Sequence, residues 1–219
     1  MVNIIDSQME IFWLGHASFK IKIFSGRIIY LDPYNIKDGE EKADIIVSSH
    51  THGDHFSRSD IKKIWQDDTI LLGPASIESS LKKFDGQALK IGEEFAYKDF
   101  TIELFPAYTI KKGTHPKSNN WTGTIIESAG KSVYHAGDTE RIPEMKDLKK
   151  RNITVALLPC GGTYTMDFEE ASDAAVDIQP EIVIPMHNWD KDLNSFKDVM
   201  AKKDSKIKVE ILTEKSLKI

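Results

Sequence analysis

The sequence predicts one α/β domain, residues 1–219, arranged as a four-layer αββα sandwich, and three observations carry that prediction. The chain falls into two halves, each running hairpin, buried strand, helix, strand, which is the pattern of two sheets packed face to face with helices outside. Several strands are short apolar β-branched runs of the kind covered on both faces. With 219 residues, of which 40% are hydrophobic and 29% charged, there is apolar material for one large core, and no low-complexity stretch divides it.

The elements follow in order. Residues 19–24 and 27–31, joined by Ser25-Gly26, alternate as a hairpin with one buried face. Residues 43–49 form a buried strand that runs straight into Ser49-His50-Thr51-His52-Gly53-Asp54-His55. A helix over residues 59–65 opens on an N-cap signal at Ser59, and a strand at 69–73 and an amphipathic helix at 75–84 close the first half. Strands at 94–97, 100–105, 122–127 and 131–135 are separated by turns such as Lys98-Asp99 and Ala129-Gly130. Helices at 142–150, 168–178 and 193–202 then alternate with strands at 155–158, 182–185 and 207–212.

A net charge of -5 leaves no basic field to hold a polyanion, so nucleic acid is not expected as a partner. The lysine-rich residues 146–151 and 202–208 read as solvated faces. One cysteine, Cys160, excludes an internal disulfide and a cysteine-rich zinc site, and reads as a small packed residue rather than a nucleophile. No apolar run approaches 18 residues and residues 1–10 carry no charged-then-apolar leader, so a soluble cytoplasmic protein without a membrane partner is expected. The expected partner is a small-molecule substrate, with a homo-oligomer left open.

Three of the seven histidines fall within residues 50–55. His50 and His52, two apart on an extended segment, point the same way and can grip one ion. Gly53 lets the chain turn so that Asp54 and His55 face a second. Asp138, after the strand ending in Tyr134-His135, is placed to bridge two ions, and His187 ends the strand at 182–185. Imidazoles with carboxylates suit zinc, or iron and manganese where oxygen ligands are more numerous.

In sequence order, His50-x-His52-x-Asp54-His55, Gly137-Asp138-Thr139 and Pro185-Met186-His187 resemble the metallo-β-lactamase-fold hydrolase superfamily over nearly the whole chain. Trp13-Leu14-Gly15-His16-Ala17-Ser18-Phe19, Leu31-Asp32-Pro33 and Tyr134-His135-Ala136-Gly137-Asp138-Thr139 further resemble the small metal-dependent hydrolases related to L-ascorbate-6-phosphate lactonase. The resemblance implies an αββα sandwich with its site at one edge. It also implies two divalent metal ions, zinc first and manganese or iron as alternatives, held by His50, His52, Asp54, His55, Asp138 and His187. A metal-bridging hydroxide would attack a lactone or phosphoester in a small, anionic molecule, with Asp54 as the catalytic group that orients it and protonates the leaving group. The alternative function is a metal-binding redox or sensing module of the same fold.

In that superfamily a third histidine usually follows a middle strand, and in the nearest subgroup it often stands directly after a Pro-Ala-aromatic run. Here Pro106-Ala107-Tyr108 is followed by Thr109, a poor zinc ligand. His115, six residues on in a loop rich in glycine, proline and asparagine, is open to three readings: substitute ligand, substrate contact or exposed loop residue. His16 is expected to line the pocket or to sit in the core, and His135 to hydrogen-bond behind the metals rather than ligate. Asp32 is expected to orient the loop of residues 50–55. Gly161-Gly162 would bring backbone N–H groups to a ligand, with Thr163, Tyr164 or Thr165 as donors.

Overall fold

Two mixed sheets face each other in the computed structural model, which describes residues 8–213 and 215–219. The reading of residues 1–10 as free of a leader falls mostly outside that range. One sheet comprises β1 (Glu10–Gly15), β2 (Ser18–Lys22), β3 (Ile28–Leu31), β4 (Ile45–Val47), β5 (Ile70–Pro74), β6 (Gln87–Leu89) and β14 (Ser216–Lys218), in the order β14-β1-β2-β3-β4-β5-β6. The other comprises β7 (Glu94–Tyr97), β8 (Phe100–Pro106), β9 (Thr122–Ser128), β10 (Lys131–His135), β11 (Val155–Pro159), β12 (Ile182–Met186) and β13 (Lys208–Val209), in the order β13-β12-β11-β10-β9-β8-β7. Each is antiparallel on its hairpin side and parallel from β3 to β6 or from β10 to β13. Helices α1 (Arg58–Ile64) and α2 (Glu78–Leu81) cover the first sheet, and α3 (Phe168–Ile178) and α4 (Leu193–Lys203) the second. The layers are αββα, as expected.

Period-two alternation decides which side chains face which layer. On β10 and β11, Val133, Val155 and Leu157 enter the core between the sheets, while Tyr134, Ala156 and Leu158 turn to α3 and α4. The small face of α3, Ala171, Ala174 and Ala175, lets that helix sit close on the sheet. None of the described helices is long and apolar enough to cross a membrane.

Six elements differ from expectation. Helix α1 is capped by Ser57, not Ser59. Residues 75–84 break into two 3₁₀ turns around the single turn of α2, between Pro74 and a left-handed Asp85. Residues 143–151 form a 3₁₀ run instead of an α-helix. The strand at 207–212 shrinks to β13, while β6 and β14, too short for a periodic pattern, were not expected.

The α1 cap makes a checkable prediction. Asp60 is buried and accepts from Ser57 Oγ (2.6 Å) and from the N–H groups of Asn35 (3.0 Å) and Ile36 (3.1 Å), with Lys63 Nζ 3.2 Å away. Burial alone would raise its carboxyl, but Ser57, Lys63 and the Asn35 N–H outweigh that and hold it below its ordinary 3.8. A lowered folded-state value means the stabilisation is complete above about pH 4 and fades as pH falls through that value. Asp60→Ala should therefore cost about 1–3 kcal/mol in urea unfolding at pH 7, and its deficit should narrow steadily towards pH 3.

Candidate metal centre

Every sequence-expected ligand except His115 sits just past the C-terminal end of a strand, the edge at which open α/β sheets bind ligands. β4 ends into residues 50–55, β10 into Asp138 and β12 into His187. Gly137 makes the turn into Asp138, with φ +64° and Thr122 O only 2.8 Å from where a Cβ would stand. Gly53 does not play the part expected of it: a Cβ there would meet open space and its φ is not left-handed. The turn is held instead by His55 N and Phe56 N donating to His52 O, at 3.0 and 2.8 Å.

Ligand atoms of His50, His52 and His115 lie within 4.8 Å of one another, as do those of Asp54, His55, His187 and His16, and those of His50, His55 and Asp138. Asp138 stands between the groups. Its Oδ1 is 3.4 Å from His55 Nε2 and 3.3 Å from His187 Nε2, and its Oδ2 is 3.2 Å from His115 Nε2. These are close approaches without hydrogen-bond alignment, so His55 Nε2, both ring nitrogens of His115 and His187, and Asp138 Oδ1 are buried with no hydrogen-bond partner among the described residues. Buried polar atoms rarely go unpaired. Convergent imidazole nitrogens and carboxylate oxygens of this kind are a ligand set that fits divalent cations.

Behind these atoms stands Asp32. Its carboxylate accepts from Ser49 N (2.7 Å) and Ser49 Oγ (2.6 Å) and lies 2.7 Å from His55 Nδ1, and Ser49 Oγ lies 2.9 Å from His50 Nδ1. Because the Ser49 proton goes to Asp32, the serine oxygen accepts from His50 Nδ1–H, and His55 Nδ1–H likewise donates to Asp32. Both rings thereby turn Nε2 towards the site. Burial, then the charge of His55, holds His50 well below its usual value, and burial, then His115, lowers His52. Burial would lower His55 too, but Asp138 and Asp32 outweigh it and hold it well above. Burial opposes ionisation of Asp138, yet His55, His115 and His187 keep it well below the usual carboxylate range.

His16 sets its Nε2 2.9 Å from Asp54 Oδ2 and packs against the His187 ring, centroids 3.9 Å apart and planes tilted by 39°. Both ring nitrogens of His135 are occupied, one 2.8 Å from Ala17 O and the other accepting from Gly137 N at 3.2 Å, which leaves neither for a metal. His16, Asp32 and His187 share left-handed φ values of 51, 44 and 50°, strain of the sort that collects at functional sites.

The structure brings His115 into the cluster by a closed loop. Thr109 N donates to His115 O (2.7 Å) and His115 N to Thr109 Oγ1 (3.1 Å), so Thr109, standing where a histidine was expected, fastens the loop that delivers one. Buried Glu140 accepts from the N–H groups of Ile110 (2.5 Å) and Lys111 (2.6 Å). Lys112 Nζ donates to Thr165 O, docking the loop tip on the segment after β11.

A cavity of about 250 Å³ opens on the cluster, lined by His52, Asp54, His115, Asp138 and His187, with Thr114, Tyr164 and Trp189 at its rim. Thr163 does not line it, Thr165 is buried, and Gly162 N donates to Met166 O, so this loop offers Tyr164 rather than the expected backbone donors. Cys160 is fully buried, its Sγ donating to Met186 O, and burial pushes its thiol up to about 12. A larger groove of about 570 Å³ at the β7–β8 and β9–β10 turns is lined by neither histidine nor cysteine.

Two tryptophans were not anticipated. Trp121 packs 4.7 Å from the His50 ring and 4.9 Å from His52, and Trp189 lies 5.4 Å from His187 and 5.5 Å from His16. Neither lies in a periodic stretch, so nothing local in the sequence marks them.

Residues 10–187 match the family model described as Beta-lactamase superfamily domain. The chain is similar to a UPF0173 protein of Pyrococcus abyssi, 35% identical with 82% of this chain and 83% of that one covered. A UPF0173 metal-dependent hydrolase of Pelotomaculum thermopropionicum is 30% identical, with 82% and 84% covered. A crystal structure from Parabacteroides distasonis, provisionally named a metal-dependent hydrolase, is 36% identical, covers 93% of this chain and 92% of its own, and superposes with a TM-score of 0.84.

Proposed function

The chain belongs to the beta-lactamase superfamily domain family and, within it, to the UPF0173 metal-dependent hydrolases, and from that premise we propose that it hydrolyses a small molecule with two divalent cations. The observation that carries this reading is the set of buried, unpaired ring nitrogens converging on Asp138. His50, His52 and His115 would hold one cation, Asp54, His55 and His187 the other, and Asp138 would bridge them. Zinc suits this ligand set best, with manganese or iron the alternatives. When bound, such a pair supplies water whose pKa falls from about 15.7 towards 7 and neutralises a developing oxyanion.

The chain's own groups do the positioning. The hydrogen bond with His16 outweighs burial and holds Asp54 down at about 2, so at neutral pH its carboxylate is ionised and can orient attacking water and pass a proton to the leaving group. The bond cleaved is a lactone or phosphoester, and the likeness of residues 13–19 and 134–139 to lactonase-related hydrolases favours the lactone. Trp121 and Trp189, packed on the ligand rings, help to exclude bulk water.

Metal analysis of the purified chain followed by a panel of lactones and phosphodiesters tests the proposal. The expected result is about two cations per chain and turnover of at least one class, with His52→Ala losing one cation and most of the turnover. A metal-free protein that loses nothing on that substitution would sink it.

A further inference from the structure

Two large aromatic side chains stand exposed at the cavity mouth. Trp189 and Tyr164 are 49% and 43% exposed, and their rings meet at 5.9 Å with 65° between planes. Both border the same cavity as His115, Asp138 and His187. Nearly half of each side chain is left to solvent.

Trp189 is nonetheless held. Its φ is +49° and that of Asp190 is +59°, a left-handed conformation that strains a residue as bulky as tryptophan. Asn188 Nδ2 donates to Lys191 O at 2.7 Å and Lys191 N to Asn188 O at 3.1 Å, closing this strained turn on itself. Gly161 completes the seat: a Cβ there would stand 2.3 Å from Trp189 Cδ1 and 2.4 Å from His187 O. Only glycine allows the indole to lie that close to the chain beside His187.

The polar lining points the same way. Among the described residues no lysine or arginine lines the cavity, so no side-chain cation is there to pair with a charged group remote from the bond being cleaved. At about 250 Å³ the cavity is smaller than those that take drug-sized ligands. Within it, the non-reacting part of a substrate meets aromatic faces and a threonine.

Resting on the hydrolase reading above, we propose that the substrate carries a flat aromatic group, seated against the Trp189 indole at the mouth that Tyr164 also borders, and bears no charge remote from the scissile group. Trp189 is then a specificity-determining residue. Its fixed indole selects for planarity through offset or edge-to-face contact, which a saturated ring of equal length cannot match.

Calorimetry on the zinc-loaded protein with two carboxylates matched in length and charge, 3-phenylpropanoate and 3-cyclohexylpropanoate, isolates that selection. The phenyl compound should bind about three- to tenfold more tightly, the difference an aromatic contact supplies. The preference should vanish in Trp189→Ala and persist in Trp189→Phe. Equal binding of the two carboxylates, or a preference that survives Trp189→Ala, overturns the proposal while leaving the metal reading intact. Failure of the protein to take up zinc overturns both.

Discussion

Replacing His115 with alanine is expected to leave roughly one divalent cation per chain where two are proposed for the unaltered protein, and to lower hydrolysis by more than about 100-fold. His115 places Nε2 3.2 Å from Asp138 Oδ2, buried, with no hydrogen bond to either ring nitrogen among the described residues. Without it, that cation would keep only His50, His52 and its share of the Asp138 carboxylate, one protein ligand fewer than the cation beside Asp54, His55 and His187 would have. The fold should survive, because Thr109 and Glu140 fasten the loop mainly through backbone groups that alanine retains. Metal content measured beside a far-ultraviolet circular dichroism spectrum separates loss of the site from loss of structure. A native-like variant with two cations and full turnover would show that His115 is not a ligand.

The other large effect is expected at Asp32, which touches neither the cavity nor Asp138. Asp32→Ala strips the acceptor from Ser49 N, Ser49 Oγ and His55 Nδ1 at once, in a place where Asp32 is 1% exposed. Removing one partner from a buried charged network costs about 3–5 kcal/mol. It also frees the His55 ring and, through Ser49, the His50 ring to turn, so zinc affinity should fall about 10- to 100-fold. Asp32→Asn should fall between, since an amide keeps one acceptor oxygen and tolerates the left-handed φ of 44°. Urea unfolding with and without zinc, together with a chelator competition, reads both consequences. A stability change under about 1 kcal/mol with unchanged zinc affinity would remove Asp32 from this role.

What could be read along the chain, and what could not, divides by range of interaction. The hairpin of β2 and β3 and the doubly covered strands β4, β10, β11 and β12 were legible because burial on one or two faces writes a period into neighbouring residues. The edge strands β6 and β14, three residues each, were not, because their existence depends on the partner strand they meet. The run at 143–151 has helical spacing, yet it forms 3₁₀ turns between Pro143 and a left-handed Asn152.

The site divides the same way. By itself the sequence determined that histidines and aspartates end strands β4, β10 and β12, because strand and turn chemistry are local. That the ends of these strands meet at one edge follows from the layered topology. Where His115 comes to rest, and why Thr109 stands in the expected histidine's place, only the tertiary structure decided. The loop's course depends on Glu140 and Thr165, residues about 30 and 53 positions away, accepting its backbone and lysine donors. Trp189 likewise owes its seat to the missing side chain of Gly161, 28 positions earlier. Such contacts leave no period in the sequence, since an irregular loop is shaped by whichever distant groups satisfy its polar atoms.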